Sequence, residues 1–174
     1  DKDYYFFFSK HLIFAFFAIF IMFFISALDT TILKKLVTPL YIIFFFLLIL
    51  VPIIGVEVKG AQRWLNFQFF RLQPIELLKP FFILATVRIL TLKELKDSQI
   101  KYLLSFFLLL SIIILLIDQP DLGQSILLII SWGATVFVSG VNLVYIFSFF
   151  VIFVILTSSL LLLMPEKFGY IINR

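Results

Sequence analysis

The sequence predicts an all-α, polytopic membrane protein: one domain, built as a bundle of six transmembrane helices. Three observations carry that expectation. Of 174 residues, 63% are hydrophobic and 25 are phenylalanine, with a mean hydropathy of +1.19, more apolar surface than a water-soluble core of this size can hide. The apolar residues gather into six runs, 12–28, 37–55, 75–90, 102–117, 122–139 and 143–164. Each run is near the roughly 20 residues a helix needs to cross about 30 Å of hydrocarbon. Polar residues are concentrated between the runs, and backbone immersed in lipid must pair with itself, which selects helices over open strands.

In chain order, Asp1-Lys2-Asp3-Tyr4-Tyr5 is a polar, aromatic approach to the first run, suited to an interface, and Asp29 to Lys35 is a polar turn. Glu57 to Gln73 is a longer connection whose Trp64 and phenylalanines suit a segment lying at the membrane–water boundary. The third run is short and carries Glu76, Lys79 and Arg88, so its hydropathy is the least secure of the six. Arg88 to Lys101 is charged and reads as solvated. Asp118-Gln119-Pro120-Asp121 and Gly140-Val141-Asn142 are tight corners, and Met164-Pro165-Glu166-Lys167 leaves the last run. The chain opens on Asp1 and stops at Arg174 without a closing element, so the expectation is a piece of a longer protein.

Several chemistries are excluded. With no cysteine there is no disulfide, thiolate metal site or cysteine nucleophile, and a lone His11 makes a histidine metal centre a poor reading. No Walker loop, HExxH, GxSxG or CxxC is present. The net charge of +4 and pI near 9.4 fit loops facing anionic membrane lipids, and nothing resembles a nucleic-acid-binding face.

Parity organises the rest. If all six runs cross, residues 1–11, 56–74, 118–121 and 165–174 share one face of the membrane, and 29–36, 91–101 and 140–142 share the other. Lys and Arg divide almost evenly between the faces; the densest cluster, Arg88, Lys93, Lys96 and Lys101, favours the second as cytoplasmic. Arg63, Glu76, Lys79 and Asp121 then meet at the first face, the candidate site. Glu76 and Lys79 are i, i+3 neighbours just inside an apolar run, where each costs about 2.5–3.5 kcal/mol if held deep. Gln73-Pro74 and Gln119-Pro120 each place proline where a helix begins. Both helices therefore aim free N–H groups and positive dipole ends at that face, a suitable environment for phosphate. The plain alternatives stand beside this reading: helix-end charges that snorkel to headgroups for Glu76 and Lys79, a first-turn acid for Asp121, and an interfacial arginine beside Trp64 for Arg63.

At these residues the sequence resembles the SEDS family of bacterial cell-wall polymerases, which includes RodA and FtsW. Gly60-Ala61-Gln62-Arg63-Trp64 resembles the family's GA-x-RW, Gln73-Pro74-Ile75-Glu76-Leu77-Leu78-Lys79 its QPSE-hydrophobic-x-K, and Gln119-Pro120-Asp121-Leu122-Gly123 its QPDLG. Asp3-Tyr4-Tyr5-Phe6 resembles the segment after the family's first helix. Gly55-Val56-Glu57-Val58-Lys59 and Lys79-Pro80 look closer to the division branch, FtsW, than to the elongation branch, RodA. Ile75 departs from the usual serine.

The resemblance implies a fold of about ten spans, of which this stretch holds the second to the seventh. It implies a multi-pass protein of the bacterial inner membrane, at the division septum for the FtsW branch. The implied activity is a peptidoglycan glycosyltransferase that polymerises lipid II with release of undecaprenyl pyrophosphate, alongside a class B penicillin-binding protein and other division proteins. The motif-bearing face is then periplasmic. The family's proposed catalytic aspartate lies beyond Arg174, so no catalytic residue is assigned within this stretch. Arg63 and Lys79, with or without a divalent cation, would stabilise pyrophosphate charge. Glu76 and Asp121 would orient Lys79 or ligate the cation, and residue types alone do not separate those roles. A lipid II flippase, a non-catalytic division scaffold and a RodA-like elongation role are the alternatives. Spans one, two and six hold no ionisable residue in their interiors, which disfavours a polar transport path.

Overall fold

The computed structural model describes residues 2–58, 61–67, 70–119 and 121–141, together with 144, 147–148, 151, 154–155 and 158–159. It divides into two compact units, 1–36 and 37–174.

In the first unit, α1 (Lys2–Ser26) starts ten residues ahead of the expected 12–28 run, so the polar opening is helical (12 − 2 = 10). The expected polar turn shrinks to Ala27–Asp29. The Asp29 carbonyl already accepts the N–H groups of Ile32 and Leu33 at 3.0 and 3.1 Å, which starts α2 (Thr30–Ile54) at once.

In the second unit, the rest of α2, α3 (Pro74–Leu90), α4 (Ser98–Asp118) and α5 (Leu122–Val138) form the helical core. Buried positions recur at helical spacing: Ile75, Leu78 and Phe82 on α3; Leu109, Ile112, Ile113 and Leu116 on α4; Leu128, Trp132 and Val136 on α5, with Leu48 from α2. The opposite faces are just as apolar and are exposed, as at Leu84, Ile114 and Ile130, where lipid is the natural neighbour. Packing is supplemented by polar bonds. Buried Trp132 donates from Nε1 to Ser105 Oγ at 3.2 Å, tying α5 to α4. The Tyr41 side chain on α2 lies near Ser111 on α4. Phe44 of α2 stacks on Phe81 of α3 with centroids 5.3 Å apart.

Helix ends obey local chemistry. Pro74 opens α3 as expected for a residue with no N–H to lose. Asp97 caps α4 by accepting from Gln99 N at 2.8 Å. α5 ends at Ser139, followed by Gly140 at φ 90, the left-handed conformation that glycine adopts without penalty.

The connection expected as a loop over Glu57 to Gln73 carries strands instead. It forms a three-stranded antiparallel ribbon: β1 (Val56–Val58), β2 (Ala61–Phe67) and β3 (Phe70–Leu72), in the order β1-β2-β3. The register pairs Glu57 with Gln62 and Asn66 with Arg71. A long connection at a lipid boundary cannot leave its N–H and C=O groups unpaired, and folding back on itself satisfies them. The β-branched and aromatic residues Val56, Val58, Trp64 and Phe67 suit the pleat.

Among the described residues, three helical segments are long and apolar enough to cross a membrane: Phe7–Ser26, Thr30–Ile54 and Ser98–Asp118. Leu122–Val138 is apolar but shorter, and α3 has 17 residues and three charges. The sixth expected run, 143–164, falls largely outside the described residues.

Candidate functional site

The candidate site is assembled where β2 meets the N-terminal ends of α3 and α5. On β2 the side chains alternate, and Leu65, only 3% exposed, identifies the inward face; Arg63, two residues earlier, shares it. Arg63 Nε donates to the Gln119 carbonyl at 3.1 Å and lies 3.5 Å from Asp121 Oδ2. The arginine thus closes the corner between two helices, meeting a carbonyl at the C-terminal end of α4 and the acid at the start of α5. The corner is tightened by Asp121 N donating to the Leu116 carbonyl at 3.0 Å; its Pro120 is outside the described residues.

Asp121 has two tasks. Its side chain caps α5, Oδ1 accepting from Gln124 N at 3.5 Å, while Oδ2 faces Arg63. Its side chain is 9% exposed against 31% for Arg63, so the carboxylate is the buried member of the pair.

On α3, Lys79 Nζ lies 2.7 Å from Glu76 Oε2, the expected i, i+3 pair, with the lysine more enclosed (19% exposed) than the glutamate (47%). Lys79 Nζ also donates to Gln124 Oε1 at 3.0 Å, and Gln124 Nε2 donates to Glu76 Oε1 at 2.7 Å. Pro80 withholds the N–H that would bond the Glu76 carbonyl, which loosens α3 at this level.

All four residues singled out from the sequence therefore belong to one continuous polar network, Arg63–Asp121–Gln124–Glu76–Lys79. Asp121 is paired with Arg63 rather than with Lys79, and it is Glu76 and Gln124 that hold the lysine. The network contains two cations and two carboxylates, formally neutral, which makes it tolerable near hydrocarbon. Among the described residues no group of three or more His, Cys, Asp or Glu side chains gathers as a metal site.

Two glutamines take roles that the sequence did not assign to them. Gln124 stands three residues after the cap, the position at which a capping box carries Glu or Gln, so Asp121-Leu122-Gly123-Gln124 was a usable signal. Gln119 is 2% exposed, and its side-chain Nε2 reaches the Leu48 carbonyl at 3.5 Å. Pro52, four residues on in α2, cannot donate to that carbonyl, so the glutamine supplies the missing partner. At the far end of α3, Arg88 Nη1 donates to Thr38 Oγ1 of α2 at 2.5 Å.

Fold and site together define a polytopic helical membrane protein that carries a charge-balanced polar site at the N-terminal ends of two helices. The family model described as "Cell cycle protein", FTSW_RODA_SPOVE, matches residues 1–172, and the chain belongs to this FtsW/RodA/SpoVE family. It is 34% identical over 162 residues to the "Probable peptidoglycan glycosyltransferase FtsW" of Wigglesworthia glossinidia brevipalpis, covering 89% of this chain and 42% of that protein. It is 36% identical over 98 residues to the protein of the same name from Caulobacter vibrioides, covering 56% of this chain and 25% of the relative. Among solved structures it is similar to the rod shape determining protein RodA of Thermus thermophilus, with TM-score 0.63 and 31% identity over 75% of this chain and 44% of that one. It is also similar to a chain from a structure described as "Structural coordination of polymerization and crosslinking by a peptidoglycan synthase complex", with TM-score 0.72 and 28% identity over 86% and 45%. The chain spans less than half the length of these relatives.

Proposed function

We propose that this chain is the part of a peptidoglycan glycosyltransferase that receives the pyrophosphate end of lipid II, in an enzyme that polymerises glycan strands during bacterial cell division. The observation that carries the reading is the Arg63–Asp121–Gln124–Glu76–Lys79 network at the starts of α3 and α5. In the reaction, the acceptor hydroxyl attacks the anomeric carbon, the bond to undecaprenyl pyrophosphate breaks, and negative charge grows on the leaving group. Arg63 and Lys79 meet that charge, which is the term preorganised electrostatics supplies best. Glu76 and Gln124 keep the ammonium in place beforehand, and Asp121 does the same for the guanidinium. Each carboxylate is already bonded to a cation, so the role assigned to both is orientation rather than ligation of a divalent ion. The proton leaving the acceptor hydroxyl needs a base outside this group, since Arg63 and Lys79 are charged and the two acids are engaged.

The names of the curated relatives support the FtsW branch, hence a place in the bacterial inner membrane at the division septum. A neighbour described as belonging to a peptidoglycan synthase complex supports a penicillin-binding protein of class B as the partner. The test is synthesis of glycan from fluorescent lipid II by the intact protein with that partner. Lys79→Ala and Asp121→Ala are expected to abolish product while leaving membrane insertion intact, and Lys93→Ala is expected to be silent. Equal product from Lys79→Ala and Lys93→Ala would make Lys79 an ordinary interfacial charge.

A further inference from the structure

Gln124 is the residue that spans the two ion pairs. Its backbone N–H donates to Asp121 Oδ1 at 3.5 Å, its side-chain Nε2 donates to Glu76 Oε1 at 2.7 Å, and its Oε1 accepts from Lys79 Nζ at 3.0 Å. A primary amide is the neutral side-chain group that donates to a carboxylate and accepts from an ammonium within one plane. Methionine at this position would keep the length and lose both bonds. Glutamate would still accept from Lys79, but it would set a second carboxylate against Glu76.

The ammonium of Lys79 has three N–H donors in a tetrahedral array. One is committed to Glu76 and one to Gln124, so the direction of the third is determined, and among the described residues it has no partner. A lysine held by Glu76 alone could swing about that single bond. A second anchor from another helix removes the swing, and the same anchor residue reaches Asp121 and, through it, Arg63.

We infer that Gln124 is a positioning residue of the anion site: it aims the free donor of Lys79 at an incoming phosphate-type anion and ties that direction to the Arg63–Asp121 pair. This deepens, and rests on, the anion-site reading given under Proposed function. A mere staple between α5 and α3 would show itself differently, as a loss of stability that does not depend on whether Lys79 is present.

The experiment measures the affinity for inorganic pyrophosphate of the protein in zwitterionic nanodiscs at low salt, with the thermal midpoint of each variant recorded alongside. Gln124→Met is expected to weaken binding about tenfold, the scale of one charge-assisted hydrogen bond. Gln124→Glu is expected to weaken it further despite keeping an acceptor for Lys79, because the site becomes net negative. The double variant Lys79→Met/Gln124→Met is expected to bind no more weakly than Lys79→Met alone, since no ammonium is left to aim. Wild-type affinity in Gln124→Met, or losses that multiply in the double variant, would overturn the positioning role. A wild-type protein that binds no pyrophosphate, or a Lys79→Met variant that binds it normally, would remove the anion site itself and this inference with it.

Discussion

Replacing Gln119 with leucine is expected to destabilise the protein by about 1 kcal/mol, and removing a proline on another helix is expected to erase most of that loss. The reasoning starts from Pro52, which has no N–H to give the Leu48 carbonyl one turn earlier in α2. Leu48 is fully buried, so water cannot help, and the Gln119 side chain supplies the donor at 3.5 Å. An unsatisfied carbonyl in such a place costs about 1–3 kcal/mol, while interhelical polar bonds within membranes average about 0.6 and reach about 1.7 kcal/mol. The length of this bond argues for the lower half of those ranges, hence about 1 kcal/mol. Pro52→Ala restores an N–H one turn from Leu48, so in that background Gln119→Leu should cost little. The four proteins form a double-mutant cycle, in which any effect of straightening α2 cancels. Reversible unfolding in bicelles measures it, and Gln119→Leu leaves the backbone carbonyl that meets Arg63 in place. An equal cost of Gln119→Leu in both backgrounds, within about 0.5 kcal/mol, would refute the idea that the glutamine serves the proline-freed carbonyl.

Other expectations follow from the same geometry. Asp121→Asn should keep the cap on α5, since Asn and Asp are comparable N-caps, so the stability it loses reports the Arg63–Asp121 pair, while glycan synthesis falls because the guanidinium is no longer held in place; wild-type synthesis would mean the cap is the only task of Asp121. Ser105→Ala removes the bond from Trp132 Nε1 to Ser105 Oγ and should cost about 1 kcal/mol, with a shift in Trp132 emission read in a Trp64→Phe background. Because the chain has no cysteine, Glu57→Cys should react with an impermeant thiol reagent outside spheroplasts and Lys96→Cys should not; the reverse labelling would invert the orientation. Glu76 and Arg88 are twelve positions apart (88 − 76), a rise of about 18 Å against about 30 Å of hydrocarbon, so anion binding should weaken as nanodisc acyl chains lengthen from 14 to about 22 carbons. No dependence on thickness would place the network at headgroup level without any thinning of the bilayer.

The division between what the chain states locally and what it leaves to packing is sharp here. Lipid as solvent makes long apolar runs into helices whatever their neighbours, so the helical membrane class and helices over five of the six apolar runs were legible from composition alone. Proline at the start of α3 and the Glu76–Lys79 pair were legible for a related reason: each involves residues within one turn of each other. Asp121, expected as a first-turn acid, is instead the cap that precedes Leu122. The inward face of each helix was not, because Leu84, Ile114 and Ile130 are as apolar as the buried residues beside them, and only packing distinguishes lipid from core. The ribbon from 56 to 72 was missed because strand pairing is settled by partners and not by the run itself. Parity placed Arg63 and Asp121 on one face, but their contact joins residues 58 positions apart (121 − 63), and Gln119 meets Leu48 across 71. Periodicity carries no information over such separations. The tertiary structure decided which cation each acid faces, and it made Gln124, one residue past a recognisable motif, the joint of the whole site.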